Sequence, residues 1–158
     1  YEGGSPYGYK NFKPHISFNL SSDPEAFKLV LESGVKLYMV PSETGRKQAH
    51  FTEKQVNKLL SINDTGRFLN TLFQKYWEKN YPDKRIATND TCPLLLMLYP
   101  NLFKLVNTNI EVDCDKAPGK TVMDFDKNGK ISYVWGVKRF RLMNKIFKLI
   151  KSIEYKEK

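Results

Sequence analysis

The sequence predicts an α/β domain, and three observations carry that reading. A capped helix that begins at Asp23-Pro24 and closes at Gly34 runs straight into a strand over residues 35–40. The run Leu94-Leu95-Leu96-Met97-Leu98 is apolar on every side, with helix-start residues before it. Beyond Pro100, β-branched and aromatic residues dominate three further strand-like stretches. At 158 residues the chain has the size of one domain, enough to bury about two-thirds of its unfolded surface.

Taken in order, residues 1–10 read as loop, and the chain is expected to begin mid-protein because nothing there starts an element. Residues 11–20 contain Pro14 and alternating Ile16 and Phe18, which predicts an extended entry. Ser22 or Asp23 caps the first helix, Pro24 suits its first turn, and Ala26, Phe27, Val30 and Leu31 form its apolar face. After the strand at 35–40, a loop carries Arg46, Lys47 and His50. Thr52 and Gln55 make a capping box for a helix through Leu59-Leu60. Asn63-Asp64-Thr65-Gly66 reads as a turn before a longer helix from Arg67 to about Asn80, ended by Tyr81-Pro82-Asp83.

Asp90 and Thr91 are good caps for the apolar run, Pro93 suits its first turn and Pro100 stops it, so a short, fully buried helix is expected. The positive end of its dipole favours an ionised Asp90, although service as a cap alone would explain that residue. Strands follow at 105–114, 121–125 and 130–137. Asp126-Lys127-Asn128-Gly129 is a hairpin signal between the last two. The chain closes on an amphipathic helix over 140–153, with Phe140, Met143, Ile146, Phe147, Ile150 and Ile153 on one face. That face fits docking on a sheet better than lying on a membrane.

Composition excludes several classes. Apolar residues make up 41%, too many for a disordered chain, and no apolar segment approaches the ~20 residues of a spanning helix. Two cysteines, Cys92 and Cys114, make neither a disulfide scaffold nor a zinc motif, and both are expected as thiols. The net charge of +9 gives solubility and weak affinity for polyanions, but no nucleic-acid-binding signature accompanies it. A basic RNA-binding module therefore ranks behind the readings below. No membrane partner is expected, and the cytoplasm is the expected compartment.

Three constellations could bear chemistry. Residues 124–131 match the first two-thirds of an EF-hand loop, but Trp135 stands where the bidentate glutamate belongs and strand formers flank it, so a turn is the better reading. His15 and His50 have no spacing that would hold zinc. Phe73, Tyr76, Trp77 and Tyr81 could stack a planar ligand, though at helical spacing plain core packing explains them equally.

Two stretches together resemble one family. Asn11-Phe-Lys-Pro14-His-Ile-Ser17-Phe18-Asn19 followed by Asp23-Pro24-Glu25-Ala26 resembles the GNxTPxAEFN…DPEAA segment of nucleoside hydrolases of the inosine-uridine-preferring type. Asn89-Asp90-Thr-Cys-Pro-Leu resembles that family's HDPLAV helix start, and Gly119-Lys-Thr-Val-Met-Asp124 its GxTVVD strand. The resemblance covers nearly all of residues 1–158 and corresponds to the family's C-terminal half. It implies a Rossmann-like α/β fold ending in a β-hairpin and a helix. It also implies hydrolysis of the N-glycosidic bond of ribonucleosides, in the setting of purine and pyrimidine salvage.

Carried over by position, the resemblance makes Asp90 a calcium ligand and Asn11, Ser17 and Asn19 ribose-binding residues. Phe18 becomes a wall beside the sugar, and Phe73 and Trp77 approach the base. A hard cation suits such oxygen donors. Three departures accompany it. The family's N-terminal aspartate cluster, which supplies most calcium ligands and the general base, is absent from these residues. Asn89 stands where many members carry the histidine that protonates the leaving base, and Ser17 stands where they carry a glutamate. The chain is thus expected to be inactive alone and to need a nucleoside, the N-terminal half of the same protein and a homo-oligomeric partner. A catalytically degenerate homologue that binds a nucleoside or a protein is the alternative.

Overall fold

The computed structural model describes residues 16–80 and 84–153. Asn11 and His15, as well as the helix-ending Tyr81-Pro82-Asp83, lie outside them.

Ile16 makes one antiparallel bridge to Lys120, and the chain then enters a short helix, α1 (Phe18–Ser22). The extended entry expected through residue 20 therefore stops at Ile16; Phe18 and Leu20 point different ways because they are helical, Phe18 outward and Leu20 into the core. The next helix, α2 (Pro24–Glu32), starts as its sequence demands. The Asp23 carboxylate accepts a hydrogen bond from the Ala26 amide at 2.9 Å, Pro24 fills the first turn, and Gly34 follows with φ +75°.

Strand β1 (Leu37–Met39) pairs in parallel with β6 (Ile131–Val137). The segment after Pro41 forms a π-turn, Thr44–Gln48, before strand β2 (His50–Phe51). Helix α3 (Glu53–Leu59) has the expected reciprocal capping box between Thr52 and Gln55. Helix α4 (Asp64–Asn80) starts three residues earlier than the turn signal suggests. Asn63 accepts from the Gly66 amide at 2.9 Å, so the Asp64-Thr65-Gly66 segment is the first helical turn and not a loop. Strand β3 (Ile86–Ala87) pairs antiparallel with β2, and helix α5 (Thr91–Leu98) follows.

Strand β4 (Phe103–Asp113) is the long member of a mixed sheet with order β1-β6-β4-β5, where β5 is Lys120–Asp124. Consecutive β4 and β5 form the antiparallel hairpin, while β5 and β6 do not pair with each other. Each lies along a different half of β4: residues 103–108 face β6, and residues 109–113 face β5. The turn at residues 126–129 exists, with the Asp126 side chain accepting from the Asn128 amide at 2.8 Å. It links two strands that each pair with β4 and not with each other, so the expected hairpin between them does not form. Gly129 is needed for close approach, since a Cβ there would sit 2.5 Å from the Thr108 backbone.

Alternation along the strands sends residues to opposite faces and so builds two cores. One holds Leu20, Phe27, Met39, Ile110, Ile131 and Tyr133 beneath α1 and α2. The larger one gathers Val40, Phe51, Leu59, Trp77, Leu95 and Val134 with residues of α6 (Arg139–Ser152). On α6 the buried stripe is Leu142, Met143, Ile146 and Ile150; Phe140, expected inside, is 79% exposed. The result is a three-layer α/β/α arrangement. Helix α5 departs from its expected full burial: Cys92, Leu95 and Leu96 are inside, but Leu94, Met97 and Leu98 face outward.

Candidate functional site

The segment bearing Asn89 and Asp90 is positioned from the sheet outward. At the end of β6, the Gln48 side chain accepts from the Val137 amide at 3.0 Å. Arg139, opening α6, donates to the carbonyls of Gln48 at 2.6 Å and His50 at 3.0 Å. These bonds fix the π-turn and β2. Pairing of His50 with Ala87 then fixes β3, and the Thr88 hydroxyl hydrogen-bonds the Ala49 carbonyl. Gly45 of the π-turn lies directly against Asn89, where a Cβ would be 2.3 Å from Asn89 Oδ1 and 2.7 Å from its backbone nitrogen. Only glycine admits that approach.

A cleft of about 410 Å³ opens beside this segment. Thr88, Asn89, Asp90 and Thr91 form one wall; Leu72, Phe73 and Tyr76 of α4 form the other. Asp90 occupies the cap position of α5, yet its carboxylate makes no capping hydrogen bond and its backbone is already helical, with φ −72° and ψ −20°. Capping therefore does not account for this residue. Asn89 Oδ1 is buried without a hydrogen-bond partner, as is Thr44 Oγ1. Phe73 is half-buried, with its ring 5.6 Å from that of Phe51, and so joins the cleft wall to the core.

The structure brings together Phe73, Tyr76, Asn89 and Asp90 of the residues singled out from sequence. Trp77 is buried in the larger core and does not line the cleft. On α4 it continues the stripe of Gly66 and Asn70, four residues after Phe73 and about 40° further round the helix, while Leu72 and Tyr76 turn toward the cleft. Ser17, Phe18 and Asn19 belong to the α1 segment, seated where Ser21 meets Gly119 at the start of β5, and none of them lines the cleft. Thr88 and Leu72 were not singled out; burial on one side of α4 and the polar run 88–91 were the available signals.

Calcium takes six to eight oxygen ligands, several of them carboxylates. Among the described residues no group of three His, Cys, Asp or Glu could hold a metal ion, and Asp90 is the only carboxylate lining the cleft. These residues do not make a calcium site by themselves. What they can do is accept hydrogen bonds from hydroxyl groups through Asp90 and Asn89 and pack a flat ring against Phe73 and Tyr76.

Comparison with known proteins agrees with this architecture. Non-specific ribonucleoside hydrolase RihC of Salmonella enteritidis PT4 is 32% identical over 126 residues, 78% of this chain and 40% of the relative. RihC of Salmonella typhi matches to the same extent. The fold is shared with a purine-preferring ribonucleoside hydrolase from Gardnerella vaginalis, at TM-score 0.77 and 21% identity over 94% of this chain and 50% of that one. A plant nucleoside hydrolase superposes with TM-score 0.79 and 20% identity, covering 96% of this chain and 52% of its own. The chain thus spans about half the length of the proteins it matches or less. The profile described as inosine-uridine preferring nucleoside hydrolase matches residues 2–145, and the chain belongs to that family.

Proposed function

We propose that this chain supplies the Asp90 half of a nucleoside-hydrolysing site, which becomes active when a second half of the fold completes it. The supporting observation is the Asp90 carboxylate, free of capping duty at the mouth of a cleft whose far wall is aromatic. In the reaction the bond between ribose C1′ and the base nitrogen breaks, water oxygen bonds to C1′, and a proton reaches the departing base. The sugar passes through an oxocarbenium-like state, which a nearby carboxylate favours electrostatically.

Within this scheme Asp90 accepts from ribose hydroxyls and contributes one oxygen ligand to a calcium ion whose other ligands come from the second half. Asn89 fixes the sugar or base by its amide. Having no titratable proton, it does not serve as general acid. Phe73 and Tyr76 stack the base, and Ser17, Phe18 and Asn19 approach the sugar only if the α1 segment is drawn in by completion of the fold; Asn11 is assigned to the sugar by the resemblance alone. Trp77 acts from beneath, as support for Phe73.

The test is ribose release from inosine and uridine by the completed protein, with and without calcium. Release is expected with calcium, and D90N should lower kcat/KM at least about 100-fold, an effect of some 2.7 kcal/mol. Nucleoside binding without release would favour the degenerate, binding-only reading. Release unaffected by D90N would refute the assignment of that residue.

A further inference from the structure

We propose that Gln48 and Arg139 are positioning residues for Asp90, carrying the register of the sheet through the π-turn to residues 88–91. This rests on the reading that Asp90 serves a nucleoside-hydrolysing cleft. Neither Gln48 nor Arg139 lines that cleft, so both act through other residues.

Gln48 supplies the first link. The last pair of β1 is Met39 with Tyr133, so β6 runs on beyond its parallel neighbour, while β4 continues to pair along its other edge as far as Val137. Past Met39 the Gln48 amide takes up the next backbone groups of β6. Its Oε1 accepts from the Val137 amide at 3.0 Å, and its Nε2 donates to the Trp135 carbonyl at 3.4 Å. One side chain thus gives β6 the donor and the acceptor that a neighbouring strand would otherwise give. Gln48 is also the last residue of the π-turn, so the turn is registered against the sheet. The widened π geometry is rare and recurs at functional sites.

Arg139 supplies the second. It stands at the first position of α6, where the helix dipole favours an acid and disfavours a cation; α6 has no acidic residue in its first turn and no side-chain cap. Helix stability therefore does not explain an arginine there. Nor does an ion pair, because its guanidinium meets no carboxylate among the described residues. It donates instead to two carbonyls two residues apart, those of Gln48 and His50. A rigid planar fork suits two fixed acceptors, which the single ammonium of lysine does not. From this pair two routes lead to the cleft. Gly45 of the π-turn lies against Asn89, and β2 holds β3 through His50 and Ala87 while the Ala49 carbonyl receives the Thr88 hydroxyl. Both end within two residues of Asp90, whose own carboxylate makes no capping bond to fix it.

The experiment compares R139M, R139K and Q48E with R141M, an exposed cation two residues along α6, in the completed protein, each alone and combined with D90N. It reads kcat/KM for inosine and hydrogen exchange at the Cys92 amide, which the Thr88 and Asn89 carbonyls hold. R139M is expected to lower kcat/KM about tenfold, R139K and Q48E by less, and R141M not at all. In the D90N background, where no carboxylate is left to place, R139M should cost less than about twofold more. Exchange at Cys92 should rise in R139M while exchange along β4 matches the parent. A loss that persists undiminished in D90N, or exchange raised throughout, marks general structural support and overturns the proposal. Parent-like activity of R139M overturns it too. If R139M does not fold, the same comparison is made with R139K and Q48E. If the completed parent releases no ribose, the hydrolase reading falls and exchange decides: a rise confined to the Cys92 region keeps the two residues as positioners of 88–91, and an unchanged profile removes them.

Discussion

At the scale of single residues, the site is held by glycine as much as by its polar groups. Gly45 and Gly34 make a useful pair. A methyl group at Gly45 would meet Asn89 Oδ1 at 2.3 Å and the Asn89 backbone at 2.7 Å, so the segment carrying Asn89 and Asp90 must move. At Gly34 nothing lies within 4 Å of the added carbon, and only the left-handed backbone, φ +75°, resists. Gly45→Ala is therefore expected to cost about 1–3 kcal/mol in urea unfolding and to lower nucleoside affinity. Gly34→Ala should cost about 1–2 kcal/mol and leave affinity unchanged. Equal effects of both on binding would show that Asn89 is not held by the π-turn. Asp113 offers a check of a different kind. Its carboxylate accepts from the Asp115 amide at 2.8 Å and the Lys116 amide at 2.9 Å, and the Asp115 bond chiefly holds its pKa below the ordinary carboxylate range. A depressed carboxylate stabilises above its unfolded pKa and loses that contribution as pH falls through its folded one. The loop closing the β4–β5 hairpin should accordingly loosen only below the normal carboxylate range, seen as amide exchange at Asp115 and Lys116. In D113N that acid-dependent change should vanish.

Elements whose signals are local were legible in the sequence, and those set by distant pairing were not. The Asp23 cap and the Thr52–Gln55 capping box need only four consecutive residues, and both occur as read. Thr52→Ala removes one half of the reciprocal pair and should cost about 1 kcal/mol, measured as a lower urea midpoint with unchanged slope. A neutral result would mean that packing of Val56 and Leu59 alone sets the start of α3. By contrast, residues 126–129 form the turn their chemistry announces, yet they join strands that never pair. Which strand lies beside which is decided by β4, 11 residues long and able to serve two partners over its two halves. No turn signal encodes that. The aromatic set on α4 shows the same limit: helical spacing placed Phe73 and Trp77 near one another but could not say where the core ends and the cleft begins. About 40° of rotation round the helix separates the cleft-lining Phe73 from the buried Trp77. For α5, apolarity on every side predicted burial on every side, but the helix buries only Cys92, Leu95 and Leu96, and no local signal says which of its side chains meet the core.

For the whole molecule, the balance between exposed apolar surface and charge governs behaviour in isolation. No helix among the described residues is long and apolar enough to cross a membrane. The outward side chains Leu94, Met97 and Leu98 of α5 form an apolar surface that other copies of the chain can cover. Burying a side chain of this size is worth about 1.5–3 kcal/mol, so three neighbours supply enough to offset much of the cost of association. Against this stands the net charge of +9, which repels like molecules at low salt and is screened within about 10 Å at 0.1 M. The chain alone is therefore expected to be a monomer at low ionic strength and to self-associate as salt rises, with a melting temperature that depends on concentration. M97D/L98D should abolish the salt-promoted association, whereas F140D should not. Electrostatic capture of a polyanion such as RNA would run the other way, weakening steeply as salt rises. Sedimentation velocity across a salt series separates the cases: association that increases with salt and depends on Met97 and Leu98 identifies the outward face of α5 as the dominant surface. A monomer at every salt and concentration, melting in one cooperative transition, would mean that the outward face of α5 is tolerated in water.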